Sequence, residues 1–370
     1  MDSAFLATHP ALPLTTPAGA VEVLSKGPVI AISVSGGKDS HAAACAAMRY
    51  LDATSHAGPR VMVHADLGRI EWRESLPSCE RIATHLGLDL LTVRRSRGDM
   101  VDRWAQRWAD NLSRYQRLER LKVVLPWSTA SMRFCTSELK TDPISQALTA
   151  RYPGQVIVSV SGIRAEESRQ RATQPAWAPN PKLTRKRLGT SGWMWSPIID
   201  WSVGDVWAEI QRSGVPAHPG YTRWGMSRIS CSFCIMSNLK DLTASVSNPE
   251  HLDVYRELVD LELASTFSFQ AGRWLADLSP GLLRADQRGT LESLKEAARR
   301  REHADALVPP HLAMTGGMPT CMPTAEEADL LAHVRREVAA ALGVEVGYTT
   351  GPAVRERYRE LMAQRGAECA

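Results

Sequence analysis

Short apolar runs alternate with helical patterns through the first half of the chain. Val29 to Val34 (VIAISV) reads as a buried β-strand that stops at SGGKDS, residues 35–40, and HAAACAAMRYL, residues 41–51, follows as an Ala-rich helical pattern. A second apolar run, VMVHADL, covers residues 61–67, LPSCERIATHLGL reads as a helix, and DLLTVRR, residues 89–95, reads as a third strand. QVIVSVSGI, residues 155–163, has the pattern of a fourth buried strand. Continuously apolar strands separated by helical stretches predict βαβ units in an open, mostly parallel sheet with helices on both faces. About 30 residues separate the first two strands, which is room for one crossover.

Residues 173–194 (TQPAWAPNPKLTRKRLGTSGWM) are rich in Pro, Gly and cations and read as a long loop. From about Asn248 the pattern becomes helical without strands. There, TAEEADLLAHVRREVAAAL opens on a capping box, Thr324 with Glu327. GPAVRERYRELMAQRG follows it, and a domain boundary is placed near residue 245.

Composition narrows the class without naming a function. The 370 residues are 44% hydrophobic and 23% charged, as in ordinary globular proteins, and the net charge of +4 is too small to argue for nucleic acid by itself. No apolar run is long enough to span a bilayer, and the N-terminal stretch lacks the make-up of a signal peptide. Seven cysteines are an odd number in a chain that does not need disulfide staples. The expectation is a cytoplasmic protein with reduced thiols, some of them ligands.

SGGKDS between a strand and a helix has the make-up of an anion-binding turn. Gly36 and Gly37 let backbone N–H groups approach an anion with no Cβ in the way. The helix behind them adds oriented donors and a positive dipole end. Ser35, Lys38 and Ser40 add hydroxyl and ammonium contacts, while a Walker A spacing is absent. The plainer alternative is an ordinary turn with Asp39 or Ser40 as cap. Asp66 ends the second strand at the ligand-binding edge of such sheets, where ribose or hydrated Mg²⁺ is within reach; otherwise it caps the next helix. Arg164 and Arg171 flank Glu167 after the fourth strand, suited to phosphate oxygens or to a mutual ion-pair set. The basic loop Lys182 to Arg187 clamps phosphates or is simply solvated. Cys231 and Cys234 form CSFC, and with the distant Cys135 they fit a metal or iron–sulfur site better than a chance pattern. Buried free thiols are the alternative. Cys45 reads as core, and Cys79 and Cys321 have no evident partner.

SGGKDS resembles the PP-loop of the N-type ATP pyrophosphatases, which include the phosphoadenosine-phosphosulfate (PAPS) reductase family. HADLGRIEWRES (64–75), RFCTSELKTDP (133–143), SGIRAEESRQRA (161–172), SPIIDWSVGDVWAEI (196–210) and GYTRWGMSRISCSFC (220–234) are similar to further motifs of that family, in family order. The resemblance, which runs across residues 30–235, implies an adenine nucleotide alpha-hydrolase-like α/β fold; residues 246–370 carry no such resemblance, and their helical character is read from pattern. Pattern and resemblance together divide the chain into an N-terminal extension (1–25), a PP-loop catalytic domain (26–245) and a helical C-terminal domain (246–370). The resemblance implies nucleotide binding by Ser35, Gly36, Gly37, Lys38, Asp39, Ser40, Asp66, Gly162, Arg164 and Arg171, with Lys38, Asp39, Lys140 and Arg164 catalytic. Family members with a four-iron cluster carry a Cys-Cys pair, whereas Thr136 follows Cys135 here. A three-cysteine [4Fe–4S] cluster with one open iron, a zinc site and a bare redox pair all stay open. Cys369, in a terminal Glu-Cys-Ala, lacks the Gly and His that follow the reductase nucleophile.

The function this implies is an ATP pyrophosphatase, ATP to AMP and pyrophosphate with Mg²⁺, activating an acceptor by adenylation for sulfur incorporation. DNA-phosphorothioation enzymes are closest in style. A cysteine desulfurase-like sulfur donor and other modification-system proteins are the implied partners, with nucleic acid left open. A PAPS or APS reductase is the first alternative, and a non-catalytic nucleotide-sensing module of a phage or defence complex is the second.

Overall fold

The computed structural model describes residues 11–368, with side chains to residue 364. Two compact units divide the chain, residues 1–100 with 130–248 and residues 101–129 with 249–370.

The first unit is built on a six-stranded sheet. Its strands are β1 (Val29–Val34), β2 (Arg60–Asp66), β3 (Leu90–Arg94), β4 (Val156–Val160), β5 (Trp177–Pro179) and β6 (Ser191–Trp195), in the order β3-β2-β1-β4-β6-β5. All pairings are parallel except β5 with β6. Val29, Ile30, Ile32, Val61, Met62 and Val63 are fully buried, so the central strands carry apolar side chains on both faces. α1 (Ala18–Leu24) precedes β1; α2 (Lys38–Ala53), α3 (Ser75–Leu86) and α5 (Asp142–Arg151) run between strands, and α6 (Val203–Ser213), α7 (Pro219–Arg223) and α8 (Leu239–Ser247) follow the last strand. The alanines of α2 are what let it lie close to the sheet: Ala44 and Ala47 join Ile30, Ile32, Val158 and Val160 in one core cluster.

Two details depart from the sequence expectation. α2 begins at Lys38, inside SGGKDS, rather than after it. The stretch expected to be a loop holds β5 and β6, whose stacked Trp177 and Trp193 rings lie 5.0 Å apart. Both strands are short and embedded among prolines, glycines and cations, which hides them from a pattern reading.

The second unit is helical, with α4 (Met100–Gln116, all but its first residue in this unit), α9 (Leu252–Ser265), α10 (Ala285–Ala306), α11 (Ala325–Leu342) and α12 (Gly351–Glu368). The Thr324–Glu327 capping box is formed at the start of α11. Residues 101–129 belong here, although the sequence reading ran the first domain unbroken from 26 to 245. Arg335 explains the attachment. Buried on α11, it donates to Tyr115 O at 2.9 Å, Gln116 O at 3.0 Å and Gly347 O at 2.8 Å, with its guanidinium 4.9 Å from the Tyr115 ring. Trp108, Tyr115, Leu118 and Leu121 share a core with Leu331, Val334, Val338 and Tyr358. No helix among the described residues is long and apolar enough to cross a membrane.

Candidate active site

β1 ends at Val34 and the chain turns at once. Gly36 has φ +75°, and a Cβ there would lie 3.1 Å from Ser75 O, so backbone and packing both require glycine. Gly37, the N-cap of α2, brings no capping side chain. Instead the Tyr221 hydroxyl accepts a hydrogen bond from Lys38 N at 2.8 Å. Ser40 Oγ donates to Gly37 O at 2.9 Å and accepts from Ser35 N at 3.2 Å. The turn is therefore pinned by its own hydroxyls at the positive end of a 16-residue helix.

Strand order places this turn. β1 is flanked by β2 on one side and β4 on the other, so the loops leaving β1 and β4 diverge where open α/β sheets bind ligands. At their bases the loops touch, since a Cβ on Gly162 would lie 2.4 Å from Asp39 O. Arg164 is buried, and its Nε donates to Asp39 Oδ1 at 2.7 Å. Lys38, also buried, has its Nζ 3.3 Å from Asp39 Oδ2 and 3.3 Å from Ser227 O. Ser227 is held in turn by the buried Asp241, to which its N and Oγ donate at 2.8 and 2.6 Å. Arg164 Nη1 also meets Glu166 Oε2 at 2.5 Å. Burial alone would lower the Arg164 pKa, but Asp39 and Glu166 more than offset it and raise it. Two cations and two carboxylates thus balance at the loop.

The other expected nucleotide contacts are engaged locally. Asp66 Oδ1 accepts from Gly68 N at 2.7 Å and Oδ2 lies 3.5 Å from Arg94 Nε, so this carboxylate closes its own turn. Arg171 pairs with Glu167. Lys182 Nζ donates to Thr141 Oγ1 at 2.9 Å and Asp142 Oδ1 at 2.6 Å.

The thiols form a second centre in this unit. Lys140 lies in a π-helical turn, Ser137–Thr141, just after Cys135. Packing around Cys231 pushes its thiol up to about 12; Lys140 opposes this, while Cys234, Cys135 and Glu71 add to it. Cys135, Cys234 and Lys140 therefore each lie within electrostatic reach of Cys231. Cys234 Sγ accepts from Met236 N at 3.4 Å and from Arg228 Nη2 at 3.8 Å. The donor type suits iron or zinc. Among the described residues, however, no three His, Cys, Asp or Glu side chains are arranged to hold a metal ion, so no chemical step is routed through one here. Cys45 and Cys79 are buried, and Cys369 lies outside the described residues.

Several functional neighbours escape the sequence reading. His64, the last-but-two residue of β2, has Nδ1 3.1 Å from Val34 O and 3.6 Å from Cys79 Sγ, and Nε2 3.3 Å from Glu71 Oε1. Its burial favours the neutral ring, but Cys79 and Glu71 override this and hold its pKa up to about 10. His218 caps α7 by accepting from Gly220 N at 2.9 Å and packs against Gly36. Tyr221 was within view in GYTRWG. Ser227 contributes a carbonyl, which leaves no trace in residue type.

The model of the phosphoadenosine phosphosulfate reductase domain matches residues 29–237. An uncharacterized 37.8 kDa protein of Escherichia phage 186 is 29% identical over 244 residues, covering 57% of this chain and 68% of that protein. The adenosine 5'-phosphosulfate reductase of Allochromatium vinosum is 30% identical over 145 residues, 38% of this chain and 50% of the reductase. A crystal structure of phosphoadenylyl-sulfate reductase from Candida auris, a phosphate complex, aligns with TM-score 0.34 and 14% identity over 60% of this chain and 98% of that one. With more than half of its length matched, the chain belongs to the phosphoadenosine phosphosulfate reductase domain family.

Proposed function

We propose that this chain is an ATP pyrophosphatase that activates an acceptor for sulfur incorporation, as in DNA phosphorothioate modification. An acceptor oxygen attacks the α-phosphorus of ATP, the bond from that phosphorus to the α–β bridging oxygen breaks, and pyrophosphate leaves with the electron pair. The acceptor then carries AMP; the outer sulfur of a persulfide on a cysteine desulfurase-like donor attacks the acceptor, AMP leaves with the electron pair, and a thiol reductant cleaves the resulting disulfide to leave sulfur on the acceptor. The observation supporting this reading is the shared engagement of Asp39 by Lys38 and Arg164 at a glycine turn on a helix N-terminus. An entering pyrophosphate group competes with Asp39 for Lys38, while Arg164 keeps Asp39 in place. Lys38 and the helix end then stabilise charge as it develops on the leaving oxygen, and Mg²⁺ arriving with ATP neutralises the rest. Lys140, Cys135, Cys231 and Cys234 are the residues we assign to sulfur handling, although among the described residues no such side chains are arranged to hold a cluster or zinc. Metal content of anaerobically purified wild type and of Cys135→Ser, Cys231→Ser and Cys234→Ser decides that part.

The second reading is a sulfonucleotide reductase, favoured by the family and by the Allochromatium relative. There a thiolate attacks the sulfate sulfur and the nucleotide leaves. Pyrophosphate release from MgATP, run beside sulfite release from PAPS and APS with a thiol reductant, separates the two. Sulfite without pyrophosphate replaces the first reading by the second.

A further inference from the structure

The second unit holds a cavity of about 500 Å³ that the nucleotide reading does not use. Arg114, Arg120 and Lys122 line it together with an apolar wall that includes Leu121, Val308 and Met314. Glu119 also lines it; that carboxylate accepts from Arg117 at 2.7 and 3.0 Å and is approached by Arg357 at 3.7 Å and by Arg114 at 3.8 Å, so one anion is shared among three guanidiniums while Arg120, among the described residues, has none. Arg114 keeps a 3.2 Å hydrogen bond to Gly316 O at the cavity edge.

Arg120 is the telling residue. Its Nε is buried with no hydrogen-bond partner, and among the described residues it forms no ion pair. Burial and the neighbouring Arg114 guanidinium both lower its pKa. Two guanidiniums facing one concavity repel each other unless an anion lies between them. The unpartnered Nε also shows that no protein acceptor compensates the Arg120 guanidinium, so an anion against the part of it that lines the cavity would supply that compensation. Three cations against one carboxylate leave the lining with two excess positive charges.

We propose that this cavity binds a small organic phosphate monoester, its dianionic head between Arg114 and Arg120 and its apolar or aromatic body against the Leu121–Val308–Met314 wall. Arginine forks match phosphate oxygens in pairs. The volume falls within the roughly 300–1,000 Å³ of ordinary small-molecule sites. A cavity serving only as a packing defect would have no reason to gather three cations.

The test is a fluorescence titration of the full chain with 1-naphthyl phosphate, with inorganic phosphate and 1-naphthol as head-only and body-only competitors. Saturable binding is expected, displaced weakly by phosphate. Arg120→Ala should weaken it about tenfold or more, the loss of one charge-assisted contact. Ala313→Trp, at an exposed lining position, should block entry and decides the question if Arg120→Ala does not fold. Lys38→Ala should bind the probe like wild type, because the site is independent of the nucleotide loop. Unchanged binding in Ala313→Trp, loss of binding in Lys38→Ala, or displacement by 1-naphthol as effective as that by phosphate would each overturn the proposal.

Discussion

Arg164 Nε lies 2.7 Å from Asp39 Oδ1, joining the loop after β4 to the first turn of α2. Because Lys38 approaches the other oxygen of the same carboxylate at 3.3 Å, the pair sets the charge and the position of the glycine turn together. Removing Arg164 leaves the part-buried Asp39 with Lys38 as its remaining cation, a loss on the order of 1–3 kcal/mol. Arg164→Ala is therefore expected to lower the unfolding midpoint and to reduce pyrophosphate release at least tenfold. Arg164→Met combined with Asp39→Asn should recover stability without recovering turnover. Equal stability of Arg164→Ala and wild type in urea would show that the pair is not structural.

Gly162 makes the same junction testable without touching charge. A Cβ there meets Asp39 O at 2.4 Å and Asp39 C at 2.5 Å, which are backbone atoms that cannot swing aside. Gly162→Ala should push the two loops apart and depress nucleotide affinity and turnover together. Gly204→Ala, where the nearest atom is a serine hydroxyl at 3.5 Å, is the control that should behave like wild type. Full activity in Gly162→Ala would mean that the loops do not need this contact.

The sheet is legible in the chain because β1, β2 and β4 are buried on both faces and their apolar runs stand out. The glycine turn is legible too, since its residue types and its place between strand and helix carry the physics. The Arg164–Asp39 pair is not, because its partners are 125 residues apart and only the strand order brings them together. The placement of residues 101–129 is hidden for a related reason. α4 lies inside the stretch 26–245 that the sequence reading gave to one domain, and the buried Arg335 on a distant helix ties it to the other core. Asp66 shows the opposite failure, an acid in a suggestive place that the backbone of Gly68 already occupies.

Buried ionisable groups pull the stability of the fold in opposite directions as pH changes. Burial holds His218 and His41 down to about 4, with Arg81 adding to it at His218, and His85 and Arg81 at His41. Unfolded, each takes up a proton near 6.5, so the unfolded chain binds more protons between 6.5 and 4. Stability present above that window is lost as pH falls through it, at up to about 1.4 kcal/mol per pH unit for each histidine. His64 acts in the other sense. Its pKa, held up to about 10, makes its contribution full below 6.5 and lost as pH rises toward 10. Glu262, raised by burial to about 8, and Asp305, raised by burial to about 6, act in the same sense as His64 and offset part of the acid limb that His41 and His218 produce in the urea midpoints. His41→Asn with His218→Asn should flatten the acid limb, and an unaltered acid limb would remove these two groups from the account.

Cys231 should be the least reactive member of the thiol trio. Its pKa, pushed up to about 12, leaves little thiolate at neutral pH, and thiolate is the alkylating form. Iodoacetamide labelling followed by peptide mass spectrometry is expected to modify Cys231 last, with a rate that keeps climbing about tenfold per pH unit through the mildly alkaline range. Lys140→Ala should slow it further, because the ammonium is the group that favours its thiolate. Early labelling of Cys231 at neutral pH would mean that the thiol is less enclosed than its surroundings indicate.

Arg335 gives the last prediction. Its guanidinium satisfies the carbonyls of Tyr115, Gln116 and Gly347, and its face lies over the Tyr115 ring. Tyr115 and Gln116 end α4, where carbonyls have no partner within their own helix. Arg335→Met fills similar volume but returns these acceptors to an apolar core, a cost of about 3 kcal/mol or more. Arg335→Lys should recover only part of it, since one ammonium cannot reproduce the planar fork. Hydrogen exchange is the discriminating measurement. Amides of residues 101–129 should lose protection in Arg335→Met while those of β1, β2 and β4 keep theirs, because the sheet core contains none of the carbonyls that Arg335 holds. Uniform loss of protection across both sets would mean that the two units unfold as one.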